Sequence, residues 1–272
     1  MTAASTLQDR YTFVQGLARE AGLLAYDFYK RRAELAIETK GLQDVVSVAD
    51  KKVEDLIRSR LEERFPEDGF LGEESGSSGQ AAAGQAVWVV DPIDGTSCFL
   101  SGMPTWCVSI ALVLNGEIEI GVVYDPNVDE LYAARRGEGT YLNGLRQPVP
   151  PAGSLKDGLF GTGFSHRSRP QDIVPFVDGL LRDGGMFMRN GSGALMLAYV
   201  AVGRLVGYFE PHINSWDCLA GLLLVREAGG WTCDFLADDG LHRGNLCAAA
   251  APAVAQTVRD LMARTVPNPL RP

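Results

Sequence analysis

Two aspartates separated by two residues stand in the run Asp91-Pro92-Ile93-Asp94-Gly95-Thr96, directly after the short apolar stretch Ala86-Val-Trp-Val-Val90. A proline-constrained turn bearing two carboxylates can converge on adjacent hard cations, with the Ile93 carbonyl as a further oxygen ligand. Gly95 lets the backbone approach an anion closely. The amides of Gly95 and Thr96 would then open a short helix, where a phosphate is favoured. Metal ions and phosphate would meet in one loop. Taken alone, the pair has a plainer explanation, because Asp commonly shapes turns and caps helices.

Further carboxylates lie at places that bear on this choice. Gly72-Glu73-Glu74-Ser75 offers a second acidic pair shortly before the apolar stretch, although such a pair is often a solvated loop. Asp217 follows Trp216 at the head of an expected helix, whose dipole favours an acid there in any case. Ser47-Val-Ala-Asp50 has the form of a capping box. Each is ambiguous singly, whereas the set suits a divalent cation.

Other chemistries are poorly supplied. No lysine is followed by Ser or Thr, so a Walker A loop is absent, and no Gly-x-Ser-x-Gly elbow occurs. Gly161-Thr-Gly163-Phe-Ser-His166 lacks the third glycine of a dinucleotide fingerprint. His166, His212 and His242 show no zinc spacing and are left out of the catalytic set. Cys98, Cys107, Cys218, Cys233 and Cys247 form no Cys-x-x-Cys pair and read as reduced core residues. A net charge of -9 disfavours a nucleic-acid partner. With no apolar run of about 20 residues, no membrane span is expected. Met1 to Asp9 lacks a signal-peptide layout, so the cytoplasm is the expected location.

The elements that must carry these groups follow from periodicity. Phe13, Leu17, Ala21, Leu24 and Phe28 predict a helix over Tyr11 to Arg32, and Val53, Ile57, Leu61 and Phe65 a second over Ser47 to Arg64, stopped by Pro66. Ala86 to Val90 predicts a buried strand ending at Asp91. Cys107 to Leu114, Glu117 to Tyr124 and Glu130 to Ala134 predict an antiparallel meander joined at Asn115-Gly116 and Asp125-Pro126-Asn127. Gly76 to Gly84 is expected as a mobile loop. After a Pro- and Gly-bearing link at Pro148 to Gly153, strands alternate with helices at Asp172 to Arg182, Gly193 to Val202 and Asp217 to Ala228. Met186, Phe187, Met188, Met196 and Tyr199 read as core or subunit contacts. This order suits helices layered on mixed sheets, in 272 residues that fit one large domain.

With these residues in view, the chain resembles the inositol monophosphatases, a lithium-sensitive, magnesium-dependent family. The likeness rests on Asp44-Val-Val-Ser-Val-Ala-Asp50, Gly72-Glu-Glu-Ser75, Trp88-Val-Val-Asp-Pro-Ile-Asp-Gly-Thr96, Gly191-Ser-Gly-Ala194 and Trp216-Asp217 through Gly230, in the family's order. It implies the layered α-β-α-β-α sandwich of the inositol monophosphatase and fructose-1,6-bisphosphatase type, an α/β (α+β) fold. Residues 1–272 would form one domain, with subdomains of about 1–147 carrying the metal site and 148–272 the substrate side. A homodimer is usual in such proteins.

Carried over residue by residue, the resemblance implies two or three Mg2+ ions. Glu73, Asp91 and the Ile93 carbonyl would hold the first; Asp91, Asp94 and Asp217 would hold the second. Glu74 would support the loop, and Asp50 would hydrogen-bond Thr96, whose hydroxyl orients the attacking water. Glu73, Asp91, Asp94, Thr96 and Asp50 thus make up the expected catalytic set. Gly95, Thr96, Ser165, Gly193, Glu210 and Asp217 would contact substrate, with Glu210 gripping a hydroxyl of the leaving alcohol. The implied reaction is hydrolysis of a small phosphate monoester, inositol-1-phosphate or a related polyol phosphate first. Histidinol phosphate is the alternative substrate, and a regulatory binding role the alternative function. Ser97-Cys98-Phe99 stands where many members have Thr-Asn-Phe, Met196 where bacterial relatives often have a polar residue, and Gly193 where Ala is commoner.

Overall fold

The computed structural model describes residues 6–35, 37–41, 44–77, 84–148 and 153–266. Most of the expected Gly76 to Gly84 loop and of the 148–153 link lies outside them. In chain order the elements are α1 (Leu7–Lys30), β1 (Ile37–Gly41), β2 (Asp44–Ser47), α2 (Val48–Arg64), β3 (Gly69–Gly72), β4 (Gly76–Ser77), β5 (Val87–Asp94) and α3 (Thr96–Ser101). There follow β6 (Cys107–Leu114), β7 (Glu117–Asp125), β8 (Glu130–Arg135), β9 (Thr140–Leu142), β10 (Leu145–Arg146), β11 (Leu159–Thr162), α4 (Pro170–Arg182), β12 (Met186–Met188) and α5 (Gly193–Ala201). The last are β13 (Leu205–Ile213), α6 (Ser215–Glu227), β14 (Trp231–Thr232), α7 (Gly240–Arg243), β15 (Asn245–Ala250) and α8 (Ala255–Thr265).

Five layers result. Helices α1 and α2 cover one face of an eight-stranded sheet ordered β10-β9-β8-β7-β6-β5-β3-β4. Helices α5 and α6 fill the gap between its other face and a five-stranded sheet ordered β12-β11-β13-β15-β14. Helices α4 and α8 close the far side. This is the α-β-α-β-α sandwich expected from the sequence. No helix among the described residues is long and apolar enough to cross a membrane.

The two-residue period of a strand explains how one sheet serves two cores. In β5, Trp88 and Val90 join Val14, Leu17 and Ile57 beneath α1 and α2, while Val87 and Val89 face the core around α5 and α6. Helix α6, wedged between both sheets, buries every residue from Cys218 to Val225 and has almost no solvent face. A helix apolar all round belongs in such a middle layer.

One local feature differs from expectation. The strand predicted to end at Asp91 continues to Asp94 as β5. Asp91 pairs with Ser109 and Asp94 with Cys107, so β5 holds one residue more than β6 over this stretch. Pro92, which has no N–H to donate, lies in the resulting bulge. The sequence signals taken for a turn are those of a bulged strand that re-aims its side chains.

Candidate metal centre

The acids arrive from three directions. Strand β3 runs parallel to β5 with Gly72 opposite Val90, and the Glu73 N–H donates to the Val90 carbonyl at 3.1 Å. Glu73 therefore leaves the sheet beside Asp91. From the opposite side comes Asp217, the third residue of α6, whose carboxylate accepts the Asn214 N–H at 3.3 Å in a capping box. The capping role read from the sequence and the convergence on Asp91 coexist in one side chain. One carboxylate oxygen from each of Glu73, Asp91 and Asp217 lies within 4.8 Å of the others. Ligands of a single Mg2+ at about 2.1 Å stand roughly 3–4 Å apart, so a spread of up to 4.8 Å suits either one ion after a small adjustment or two adjacent ions that share Asp91.

Asp91 is 2% exposed, and its Oδ1 accepts the Ile93 N–H at 2.9 Å. Burial drives its pKa well above the usual carboxylate value; Glu73, Asp94 and Asp217 add to the rise. Asp94 is held by the start of α5: its Oδ2 accepts the Ser192 hydroxyl at 2.6 Å and the Ala194 N–H at 2.7 Å. Burial and the Asp217 charge still push it up to about 7. Such carboxylates are uncomfortable as neighbouring anions, and a divalent cation is the partner that relieves them. The donors are all oxygen, the set a hard ion such as Mg2+ prefers. The residues therefore fit the metal implied by the sequence.

Gly95 opens α3 with φ of 100°, and a Cβ there would stand 2.9 Å from the Thr105 carbonyl. No other residue suits both conditions. Thr96 places its hydroxyl 3.1 Å from both Asp50 Oδ1 and the Ile93 carbonyl. Asp50 is fully buried behind it, and its Oδ2 accepts the Ser47 N–H at 2.9 Å and the Ser47 hydroxyl at 2.7 Å. Burial raises the Asp50 pKa, and these hydrogen bonds oppose the rise.

Glu73, Asp91, Ile93, Asp94, Gly95, Thr96, Ser165, Gly193, Glu210 and Asp217 all line a single cavity of about 470 Å³. Asp50 does not reach it and acts from behind Thr96. Glu210, 6% exposed, comes from β13; its Oε2 accepts the Tyr208 hydroxyl at 2.5 Å. Burial pushes its pKa up to about 8. The Ser165 hydroxyl lies 3.5 Å from the His212 carbonyl. At Gly193 a Cβ would meet Ile213 Cδ1 at 2.7 Å and the Tyr208 oxygen at 3.2 Å, which accounts locally for glycine there. His166 reaches the cavity mouth, whereas the His212 ring lies 3.1 Å from the Arg243 carbonyl and His242 sits in α7.

Sequence reasoning missed several groups. Ser192 lies inside Gly191-Ser-Gly-Ala194, and its place before a helix marks it as an N-cap. Tyr208, two residues before Glu210 on one strand face, was findable from the strand period. Glu54 accepts the Glu74 N–H at 2.9 Å while almost fully buried. Its four-residue spacing from Asp50 was the available signal. Arg189, whose Nη2 donates to the Phe164 carbonyl at 3.2 Å, had no sequence signal. All five cysteines are buried and reduced.

Comparison with known proteins follows the same pattern. A sequence profile of the inositol monophosphatase family matches residues 6–265. The chain is 43% identical over 224 residues to the Nus factor SuhB of Xylella fastidiosa, covering 82% of this chain and 80% of that protein. It is 40% identical over 260 residues to the inositol-1-monophosphatase of Rhizobium meliloti, covering 94% and 96%. Among solved structures, the extragenic suppressor protein suhB of Bartonella henselae superposes with a TM-score of 0.84 at 34% identity, over 92% of this chain and 97% of that one. The Thermotoga maritima IMPase superposes with a TM-score of 0.82 at 29% identity, over 94% and 98%.

Proposed function

The chain belongs to the inositol monophosphatase family, and on that premise we propose that it hydrolyses a small phosphate monoester with the help of Mg2+. The observation that carries this reading is the approach of Glu73, Asp91 and Asp217 within 4.8 Å, with Asp94 beside them, on the wall of one cavity. Glu73, Asp91 and the Ile93 carbonyl would hold one ion, and Asp91, Asp94 and Asp217 another. Bound Mg2+ would neutralise the phosphoryl oxygens, acidify a water and stabilise the departing alkoxide.

The chain's own groups do the rest. The Thr96 hydroxyl lies 3.1 Å from both Asp50 Oδ1 and the Ile93 carbonyl; with that carbonyl turned to an ion, its hydrogen would go to Asp50 and its lone pairs would orient the attacking water. Asp50 keeps that hydrogen engaged because Ser47 holds its other oxygen. The amides of Gly95 and Thr96 cradle the phosphate at the start of α3. Glu210, protonated below about pH 8 in the metal-free protein, meets a hydroxyl of the leaving alcohol, and Ser165 and Gly193 shape the wall around it.

The alcohol is a small polyol, inositol first, with the amino alcohol histidinol as the alternative, in a protein read as cytoplasmic and dimeric. The test is phosphate release from a panel that includes inositol-1-phosphate and histidinol phosphate, with and without Mg2+ and Li+. Release that requires Mg2+ and disappears in Asp91→Asn supports the reading. The Xylella relative's name, Nus factor, favours a second reading in which the fold acts through partner contacts. Absence of hydrolysis across the whole panel, with Mg2+ shown to bind, would shift the weight to it.

A further inference from the structure

Helix α2 buries two carboxylates on consecutive turns. Asp50 and Glu54 are 0% and 3% exposed and stand four residues apart, about 6 Å along the axis. Asp50 grips the Asp91–Thr96 segment through the Thr96 hydroxyl. Glu54 faces the other acidic loop. Its Oε2 accepts the Glu74 N–H at 2.9 Å, and its carboxyl occupies the space that a side chain at Gly72 would need. Glu73 lies between these two contacts, tied on its own N–H to Val90.

One turn further along α2, Arg58 reinforces the grip. Its Nη2 lies 3.9 Å from Glu54 Oε1, its guanidinium covers the Phe70 ring at 4.7 Å, and it hydrogen-bonds the Ser75 hydroxyl. Gly72, Glu74 and Ser75 are thereby all referred to one helix face. An ordinary helical Glu–Arg pair would be exposed and contribute little. A buried carboxylate is costly unless hydrogen-bonded, and here the hydrogen bond goes to the loop that carries Glu73.

We propose that Glu54 is a positioning residue for Glu73, and that α2 sets the spacing of the two ligand loops by holding one with Asp50 and the other with Glu54. The role rests on the Mg2+-dependent reading above, while the clamp itself is independent of it. Without the clamp the Glu73 loop loses its register against Asp91. Binding of Mg2+ weakens before any change reaches the rest of the fold.

The test combines Mg2+ titration by calorimetry with hydrogen exchange at the Glu74 amide, in Glu54→Ala, Glu54→Gln and Gly72→Ala. In Glu54→Ala the Mg2+ Kd rises by about 10-fold or more, in the range seen when a group behind a metal ligand is removed. The Glu74 amide also exchanges at least about 10-fold faster, as loss of a buried hydrogen bond requires. Glu54→Gln retains an oxygen for the Glu74 N–H, so both readouts stay within about threefold of wild type. Gly72→Ala displaces the carboxyl from the loop side and reproduces the Glu54→Ala pattern, which keeps the test open if that variant does not fold. Unchanged Mg2+ affinity in folded Glu54→Ala overturns the proposal, as does a Gln variant as impaired as the Ala one. If wild type binds no Mg2+, the hydrolytic reading fails, and amide exchange in metal-free protein still decides the clamp.

Discussion

Asp94→Asn removes one charge from the acidic cluster while keeping the shape and an oxygen for Ser192 and Ala194. In the metal-free protein the Asp94 pKa stands at about 7 against an ordinary 3.8. A rise of that size corresponds to roughly 4 kcal/mol by which the ionised carboxylate disfavours the folded state. The pKa is already net of the hydrogen bonds that Asp94 accepts, but the variant also sets an amide NH2 among donors that served a carboxylate, which costs about 1–2 kcal/mol in return. The balance is about 2–3 kcal/mol in favour of the variant, a Tm rise of roughly 4–10 °C for a chain of this size. The sign depends on pH. Below about pH 4 the carboxyl is protonated in both folded and unfolded chains, so the advantage is absent; it grows from pH 4 to 7 and is complete above 7. Thermal melts in EDTA from pH 4.5 to 8.5 measure this directly. Adding Mg2+ should then raise the wild-type Tm more than that of the variant, which loses a ligand of one ion but keeps Glu73, Asp91 and the Ile93 carbonyl for the other. A variant less stable than wild type at pH 8 without metal, or a difference that does not narrow towards pH 4, would refute the electrostatic account.

Four further outcomes are expected. Asp91→Asn should lower phosphate release by about 10³-fold or more, exceeding any single change at Glu73, Asp94 or Asp217, because several kcal/mol of charge stabilisation converge on it; steady-state assays at saturating Mg2+ compare the four. Thr96→Ala should cost roughly 10²-fold in kcat through loss of orientation, with Mg2+ affinity by calorimetry changed less than about threefold. Mg2+ binding should release protons and weaken as pH falls below about 7, because protons compete for Asp94 and Asp91; calorimetry in buffers of different ionisation enthalpy reads the proton count, and zero release contradicts the raised values. Gly95→Ala should lose about 2 kcal/mol or more, since it strains a residue at φ 100° and crowds the Thr105 carbonyl; a melt shows a drop of roughly 4–8 °C.

Periodicity made the helices and the meander legible because each is a local pattern: Ile57 and Leu61 repeat every turn, and Asn115-Gly116 marks its own hairpin. The bulge in β5 was not legible, since a Pro between two Asp residues reads equally as a turn until β6 supplies its register. Glu54 escaped for a similar reason. It sits in the charged run Lys51-Lys-Val-Glu-Asp, and only the packing of β3, with no side chain at Gly72, turns it inward. The β1–β2 hairpin and β15 also went unread; Ala248-Ala-Ala250 carries little strand preference, and its pairing with β13 imposes the form. The acidic motif could be quoted from the sequence, but the meeting of Asp217 with Asp91 is a product of topology.

Helix α6, closed in by a sheet on each side, has a consequence for the order in which the molecule matures. Its first turn carries Asp217, yet it cannot lodge until strands drawn from both halves of the chain are there to enclose it. Contacts so distant along the chain form late. A chain still missing β15 would have its early acids assembled and its last one adrift. Capture of the second Mg2+, the one that needs Asp217, would thus serve as a certificate of completed folding, issued only when the final layer has closed.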